Sequence, residues 1–473
     1  WSMFQANQVF IVDAGVFDYL CAGPWHGHFF RSPLGWDIDG NYLGAHFRPL
    51  LLLITPFYAL HDGVMTYLTA QNLALVMAGL PLALLARDLL KNDWLTLAIV
   101  FLYLTNFFVG SIHLANHVEA MGLVGMFTFF LAVHRRLPWL WALALIWVFG
   151  IKEDYGLWVA LYGVTLFWTK DRSQWRWGAA TVIVGTVMLA TAMTAMKLNG
   201  AAAWKASDLS PVGHYASMGD SLAEVALWLL THPLQTAGKI LQPELIWLYA
   251  SVGFIALLDW RTIPLVVAGA GAFLVADKYL INDLAYYYSY AAVPFLFLGT
   301  VRGAALALSW REEKLPQRLW ILPVVFVVAG IAGFLIPTYP DDWRRLPFPV
   351  TGEQRIAGRV AREVIPPDAP VAAQYDVFTK VPNRPVKLPL HPDNLDRVDW
   401  VLVHEGGRAP DLTKREVLQL GDRLNNPTWR LVFFDFGYGV FQRVLPPDGA
   451  QPPLPAGSQQ DLETNENKVS GDR

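Results

Sequence analysis

The ionisable residues of this chain gather in small clusters between long apolar runs. Asp13 and Asp18 stand close together in a polar opening segment. Carboxylates beside a membrane surface can take a proton from a hydroxyl or hold a divalent cation, and they serve equally as turn formers in an ordinary loop. His46 and Arg48 close the same segment. His117 and Glu119 are two positions apart, a spacing that diverges on a regular helix and converges in a turn; a hydrated helix cap is the competing reading. Lys152, Glu153 and Asp154 are consecutive, with Gly150 before them and Gly156 after. A tight hairpin needs only glycine or asparagine, so three charges in a row point to a functional role. The Tyr286-Tyr287-Tyr288 run and most of the 20 tryptophans read as an interfacial aromatic belt. Asp37 reads as a plain loop acid.

The elements that must position these groups are membrane helices. Of 473 residues, 54% are hydrophobic and only 16% charged, and the mean hydropathy is +0.33. A soluble enzyme of this length needs more charge to cover its surface. The apolar residues fall in runs of roughly 15 to 22, the length that a hydrocarbon core about 30 Å thick demands of a helix. A net charge of -3 without a basic stripe argues against nucleic acid as a partner. Cys21 is the single cysteine, which rules out an intrachain disulfide and a cysteine zinc site. The absence of a Walker loop, a dinucleotide fingerprint after a strand, His-Glu-x-x-His and Gly-x-Ser-x-Gly disfavours the chemistries built on those templates.

About ten spans are expected, at 65–86, 94–112, 119–134, 137–151, 155–169, 178–196, 240–258, 262–276, 291–308 and 319–337. Residues 48–61 are apolar but short, which predicts a juxtamembrane or re-entrant helix. The chain opens on Trp1 with loop-like residues, so a further helix is expected upstream. Arg87, Lys91, Arg135, Arg136, Lys170, Arg172 and Arg302 fall in one set of short loops, cytoplasmic by the positive-inside rule. The acidic first loop, His117–Glu119, Lys152–Asp154 and everything after Tyr339 then face the other side. The expected organisation is a membrane domain at 1–340, a small α/β domain at 341–444 and a disordered tail at 445–473. Val371–Ala373 and Trp400–Val403 read as buried strands, 411–424 as a helix, and Arg430–Arg443 as a strand pair broken at Gly437 and Gly439. The tail is rich in Pro, Gly, Gln and acids and cannot bury enough surface to order itself.

The chain resembles the predicted membrane proteins grouped as domain of unknown function 2079. The resemblance rests on Val12-Asp13-Ala14-Gly15-Val16-Phe17-Asp18, His46-Phe47-Arg48-Pro49, His117-Val118-Glu119-Ala120 and Lys152-Glu153-Asp154-Tyr155-Gly156-Leu157. It continues through the tyrosine run into Pro294-Phe295-Leu296-Phe297, then Asn383-Arg384-Pro385 and Asp399-Trp400-Val401-Leu402-Val403, and covers residues 12 to about 443. The family usually has an aromatic–acid pair where this chain has Leu114-Ala115-Asn116, and Gln where it has Tyr19. That family is in turn similar to the C-superfamily (GT-C fold) membrane glycosyltransferases, such as protein O-mannosyltransferases and aminoarabinose transferases.

The resemblance implies a mainly α, polytopic, GT-C-like helical bundle in the plasma membrane, with an extracytoplasmic α/β C-terminal domain. It implies transfer of a sugar from a polyprenyl-phosphate donor to an acceptor on the outer side. Asp13 or Asp18 is then the candidate base, and Glu119, Glu153 and Asp154 are positioning groups or metal ligands. Arg48 and Lys152 are the candidate phosphate partners, with His46 and His117 as further donors. A divalent cation is an open question, since the acids do not define a coordination set. The rival readings are a transporter or flippase of a polar or lipid-linked substrate, and a non-catalytic assembly protein. Transporters place charges near the midplane and often carry internal repeats; here the charges sit at one edge and no repeat stands out.

Overall fold

The computed structural model describes residues 14–31, 41–199, 213–277, 281–284, 286–314, 321–335, 352–405 and 412–444. Asp13, Asp37, Asp208, residues 336–351 and the tail from 445 lie outside these. The chain is mainly helical, with a small sheet near its end.

After a short helix, α1 (Val16–Ala22), residues 48–61 form two 3-10 helices, Pro49–Leu53 and Thr55–Ala59, rather than one α-helix. Pro49 and Pro56 open the two turns, where a missing N–H costs nothing. The helical bundle follows as α2 (Val64–Met77), α3 (Gly79–Leu90), α4 (Asp93–Thr105), α5 (Phe107–Leu114), α6 (Gly122–Arg135), α7 (Pro138–Phe149), α8 (Tyr155–Thr165), α9 (Ser173–Leu198), α10 (Leu222–Thr231), α11 (Pro233–Ile240), α12 (Pro243–Ala250), α13 (Ile263–Leu274), α14 (Val293–Lys314) and α15 (Ile321–Leu335).

Among the described residues three helices are long and apolar enough to cross a membrane: Val64–Leu90, Val118–Arg135 and Ser173–Leu198. The α4–α5 pair makes a fourth if its 43° bend lies within one span. Asn106 makes that bend: its backbone is extended, and its side chain accepts from the N–H groups of Phe108 and Val109 to start α5. Five further apolar helices of 10–17 residues accompany them. The stretch 240–258, expected as one span, is instead broken. Pro243 starts the eight-residue α12 after a turn, and Gly253 and Phe254 both adopt left-handed backbone before a 3-10 turn at Ile255–Leu258.

Helices α8 and α9 touch backbone to backbone. A Cβ placed on Gly156 would lie 2.6 Å from Leu189 N, one on Gly185 2.6 Å from Ala160 N, and one on Gly163 2.9 Å from Gly178 O. Small residues permit this approach, a common means of joining helices where lipid removes the hydrophobic driving force.

The C-terminal unit carries α16 (Gly352–Glu363), α17 (Lys414–Leu424) and a five-stranded sheet, β1 (Val371–Ala373), β2 (Lys387–Pro389), β3 (Trp400–His404), β4 (Trp429–Asp435) and β5 (Tyr438–Arg443). The order is β2-β1-β3-β5-β4, with β1 parallel to β2 and β3 and the remaining pairs antiparallel. The expected strands and helix are present; β2 and α16 were not anticipated. Thr413 and Glu416 close a reciprocal cap that starts α17. Leu388, Leu395, Val401, Leu420, Leu424 and Trp429 bury against one another between helix and sheet.

Candidate functional site

Glu119 stands on the 3-10 turn Val118–Met121 that leads into α6, and it is fully buried. An ionised carboxylate in such a place needs charge partners and hydrogen bonds. Two cations supply them. Arg48 Nη2 donates to Glu119 Oε1 at 2.9 Å, and Lys152 Nζ lies 3.1 Å from the same oxygen. His117 Nδ1 approaches Oε2 at 3.3 Å. The tight spacing of His117 and Glu119 converges because the chain turns there rather than running on as a regular helix.

The cations are held by the local fold. Arg48 immediately precedes Pro49, and Leu50 N–H donates to Gly150 O at 2.8 Å. That bond ties the first loop to the end of α7, two residues before Lys152. Any Cβ at Gly150 would press on Leu50, 2.9 Å from its Cβ. The Arg48 guanidinium also lies over the Phe17 ring, 4.8 Å from its centre. Its Nε and Nη1 are buried with no hydrogen-bond partner among the described residues.

The turn between α7 and α8 spreads its three charges in different directions. Lys152 Nζ donates to Tyr290 OH at 3.0 Å, and that hydroxyl in turn donates to Asp154 Oδ2. Glu153 Oε1 pairs with His46 Nδ1 at 2.9 Å, while Oε2 accepts from Phe47 N–H at 3.1 Å. Tyr155 OH donates to the Glu119 carbonyl at 3.3 Å. Tyr287 stacks on His117 with ring centres 3.7 Å apart. Arg48, His117, Glu119, Lys152 and Asp154 therefore form one connected polar lattice, with the His46–Glu153 pair bound to the same turn beside it.

Asp18 belongs to a neighbouring cluster. It follows Phe17, whose ring meets both Arg48 and His117, but its own carboxylate turns to other partners. Tyr58 OH donates to Asp18 Oδ1 at 2.8 Å, and Asn383 Nδ2 donates to it at 3.2 Å. Lys387 Nζ lies 3.7 Å from Oδ2. Asn383 also donates to Asp62 Oδ1 at 3.0 Å, and Asp62 Oδ2 pairs with His26 Nε2 at 2.6 Å. Burial pushes the Asp18 carboxyl above its usual range, against the opposing pull of the Lys387 ammonium. Burial likewise brings Lys387 down to about 8, partly offset by Asp18. Asp13 lies outside the described residues.

Tyr290, Tyr58, Asp62, Asn383 and Lys387 were not singled out from the sequence. The tyrosine run, expected as an interfacial aromatic belt, has Tyr287 buried against His117. Asn383 was visible only as part of the Asn-Arg-Pro segment, with no role attached. The donor chemistry at Glu119 does not suit a divalent cation: both oxygens already face cationic or imidazole donors. Among the described residues no group of three or more His, Cys, Asp or Glu side chains is arranged to hold a metal.

No curated protein matches the chain. A family model does match it, over residues 12–438, which takes in both polar clusters and four of the five strands. By that match the chain belongs to the DUF2079 family, whose description is predicted membrane protein.

Proposed function

We propose that this protein is a membrane glycosyltransferase of GT-C-like architecture that moves a sugar from a polyprenyl-phosphate donor to an acceptor on the extracytoplasmic side. In this reading the shorter apolar helices complete a bundle of about ten spans in the plasma membrane. The Glu119 lattice opens outward, and the α/β domain sits outside with it.

The observation that carries the reading is the unpartnered half of Arg48. A buried guanidinium keeps Nε and Nη1 without an acceptor among the described residues, next to the Glu119 carboxylate that Lys152 also meets. Guanidinium donors match phosphate oxygens in geometry, and a cation in a dry site stabilises a leaving phosphate more than one in water. Glu119 orients both cations. His46 and Glu153, and Asp154 through Tyr290, hold the turn that carries Lys152. His117 is a further donor toward the phosphate.

In the reaction the acceptor hydroxyl attacks the anomeric carbon as the carbon–oxygen bond to phosphate breaks. The hydroxyl proton passes to a carboxylate, and polyprenyl phosphate leaves against Arg48 and Lys152. A single displacement inverts the anomeric centre. Asp13 and Asp18 are the candidate bases; the raised affinity of Asp18 for a proton suits that task.

The test is purified protein in lipid nanodiscs with a panel of polyprenyl-phosphate sugars, following donor consumption and product. Asp18→Asn or Asp13→Asn should lower turnover by about 100- to 10,000-fold. Lys152→Met should weaken donor binding, and Asp37→Asn should change little. Full activity in both Asp variants overturns the assignment of the base. If no donor binds, the transporter reading takes precedence, and substrate flux in proteoliposomes becomes the measurement.

A further inference from the structure

A separate polar cluster lies in the C-terminal domain, apart from both groups described above. Strand β1 sits between β2 and β3 and runs parallel to each. The chain leaves β1 toward one side and returns on the other. Beyond the carboxyl ends of such strands the connections part, and open parallel sheets bind ligands in that crevice. His404 is the last residue of β3, Gln374 follows directly on β1, and Asp376 comes two residues after it.

The strand ends bring these residues together. Asp376 Oδ2 lies 2.6 Å from His404 Nδ1, and Gln374 Oε1 accepts from the His404 backbone N–H at 2.8 Å. Tyr438, opposite His404 in the β3–β5 ladder, stacks on the imidazole with ring centres 4.6 Å apart. The ring is thus fixed in plane and in direction. Asp376 is 5% exposed, and its Oδ1 is buried with no hydrogen-bond partner among the described residues. The His404 side chain keeps 22% exposure. A pair serving only the fold is normally satisfied on both oxygens. Here the carboxylate is spent on orienting an imidazole that reaches solvent. In the neutral ring, a carboxylate at Nδ1 fixes the proton on that nitrogen and turns the lone pair of Nε2 away from it.

We propose that the crevice at the carboxyl ends of β1 and β3 is a second ligand site, which takes an uncharged, hydroxyl-rich molecule of the carbohydrate class through His404 Nε2. A lone-pair acceptor selects a ligand with hydrogen to donate. Glu405, exposed beside His404, and the buried Asp376 carboxylate repel an anion. Sugar hydroxyls supply donors without charge. The site is independent of the transfer reaction proposed for the Glu119 lattice.

The experiment uses the full chain in nanodiscs. Diethyl pyrocarbonate modifies imidazole when a ring nitrogen attacks one carbonyl, with ethanol and carbon dioxide released; mass spectrometry locates the product. His404 should be modified readily, and the methyl glycosides of glucose, mannose or galactose at tens of millimolar should slow that modification several-fold. The same glycosides should slow hydrogen exchange at 371–376 and 400–405 in the wild type and not in His404→Gln. If His404→Gln is not monodisperse, Asp376→Asn replaces it, with the same loss expected. Indifference of His404 to all three glycosides overturns the site. Protection by inorganic phosphate but not by glycosides overturns the ligand class.

Discussion

The side-chain amide of Asn383 donates to the Asp18 carboxylate at 3.2 Å, across 365 residues of chain. Its other contact, at 3.0 Å, is Asp62, so one neutral amide separates two carboxylates of the membrane part. Lys387 donates to Asn383 Oδ1 at 3.2 Å and fixes which way that amide points. The C-terminal domain is thereby attached at the first loop, one residue from the Phe17 ring under Arg48.

Asn383→Leu should loosen that attachment. Two carboxylates lose a donor, and an unmade hydrogen bond to a buried acceptor costs about 1–3 kcal/mol. Hydrogen exchange in residues 14–31 and 371–389 should accelerate, with the helices around Glu119 unaffected. Asn383→Asp should be worse, because it sets a third carboxylate beside the first two. Unchanged exchange in both variants would show that the domain is held by apolar packing alone.

Glu119→Gln should be among the most damaging single changes in the membrane part. It leaves Arg48 and Lys152 buried together without their shared counter-charge, and breaking a buried ion pair this way costs about 3–5 kcal/mol. Lys152→Met should cost less, since Glu119 retains Arg48 and His117. Thermal unfolding in one detergent orders the two. The reverse ranking would mean that Lys152, not Glu119, is the organising charge.

Stability should fall on mild acidification through His28. Burial, reinforced by His26 and Arg31, lowers this imidazole to about 4 from an unfolded value of 6.5. Between those values the unfolded chain binds the extra proton, so stability is complete above 6.5 and declines as the pH drops toward 4. The shift corresponds to roughly 3 kcal/mol at most. His28→Phe preserves the ring stacked on Tyr19 and should flatten that decline in melting profiles taken from pH 7 to 4. An unchanged profile would place the acid sensitivity elsewhere.

The proposed sidedness rests on arginine and lysine distribution and has a direct check. In a Cys21→Ser background, Arg136→Cys should resist a membrane-impermeant maleimide added to intact cells, and Lys414→Cys should react. Both positions are exposed. The opposite pattern inverts the orientation and moves the lattice to the cytoplasmic side.

The lattice could be read from composition because charge is conspicuous in an apolar chain: Lys152, Glu153 and Asp154 between two hydrophobic runs call for partners. Which partners they find could not be read. Glu153 meets His46 and Lys152 meets Glu119 through folding over a hundred and more residues in the first case. Asn383 gave no signal, because a neutral amide in a polar segment looks the same in a loop as between two carboxylates. A tyrosine run has one composition whether it faces lipid or stacks on His117. Hydropathy averaged over 240–258 is insensitive to Pro243 and to the left-handed pair Gly253–Phe254, so it joined two short pieces into one span.

The glycine contacts between α8 and α9 carry a consequence for depth. Gly156, at the head of α8, is level with Gly185, midway along α9. From Gly185 to Leu198, α9 climbs about 20 Å further. The Lys152–Asp154 turn therefore lies well short of the Leu198 end of its neighbour along the helix axis. Under the transfer reaction proposed above, a lipid-borne headgroup would have to pass that end to reach the turn, or the bilayer would have to thin beside it. Membrane thickness then becomes a control variable: shorter acyl chains should ease entry, and longer ones should leave the charges stranded beneath hydrocarbon.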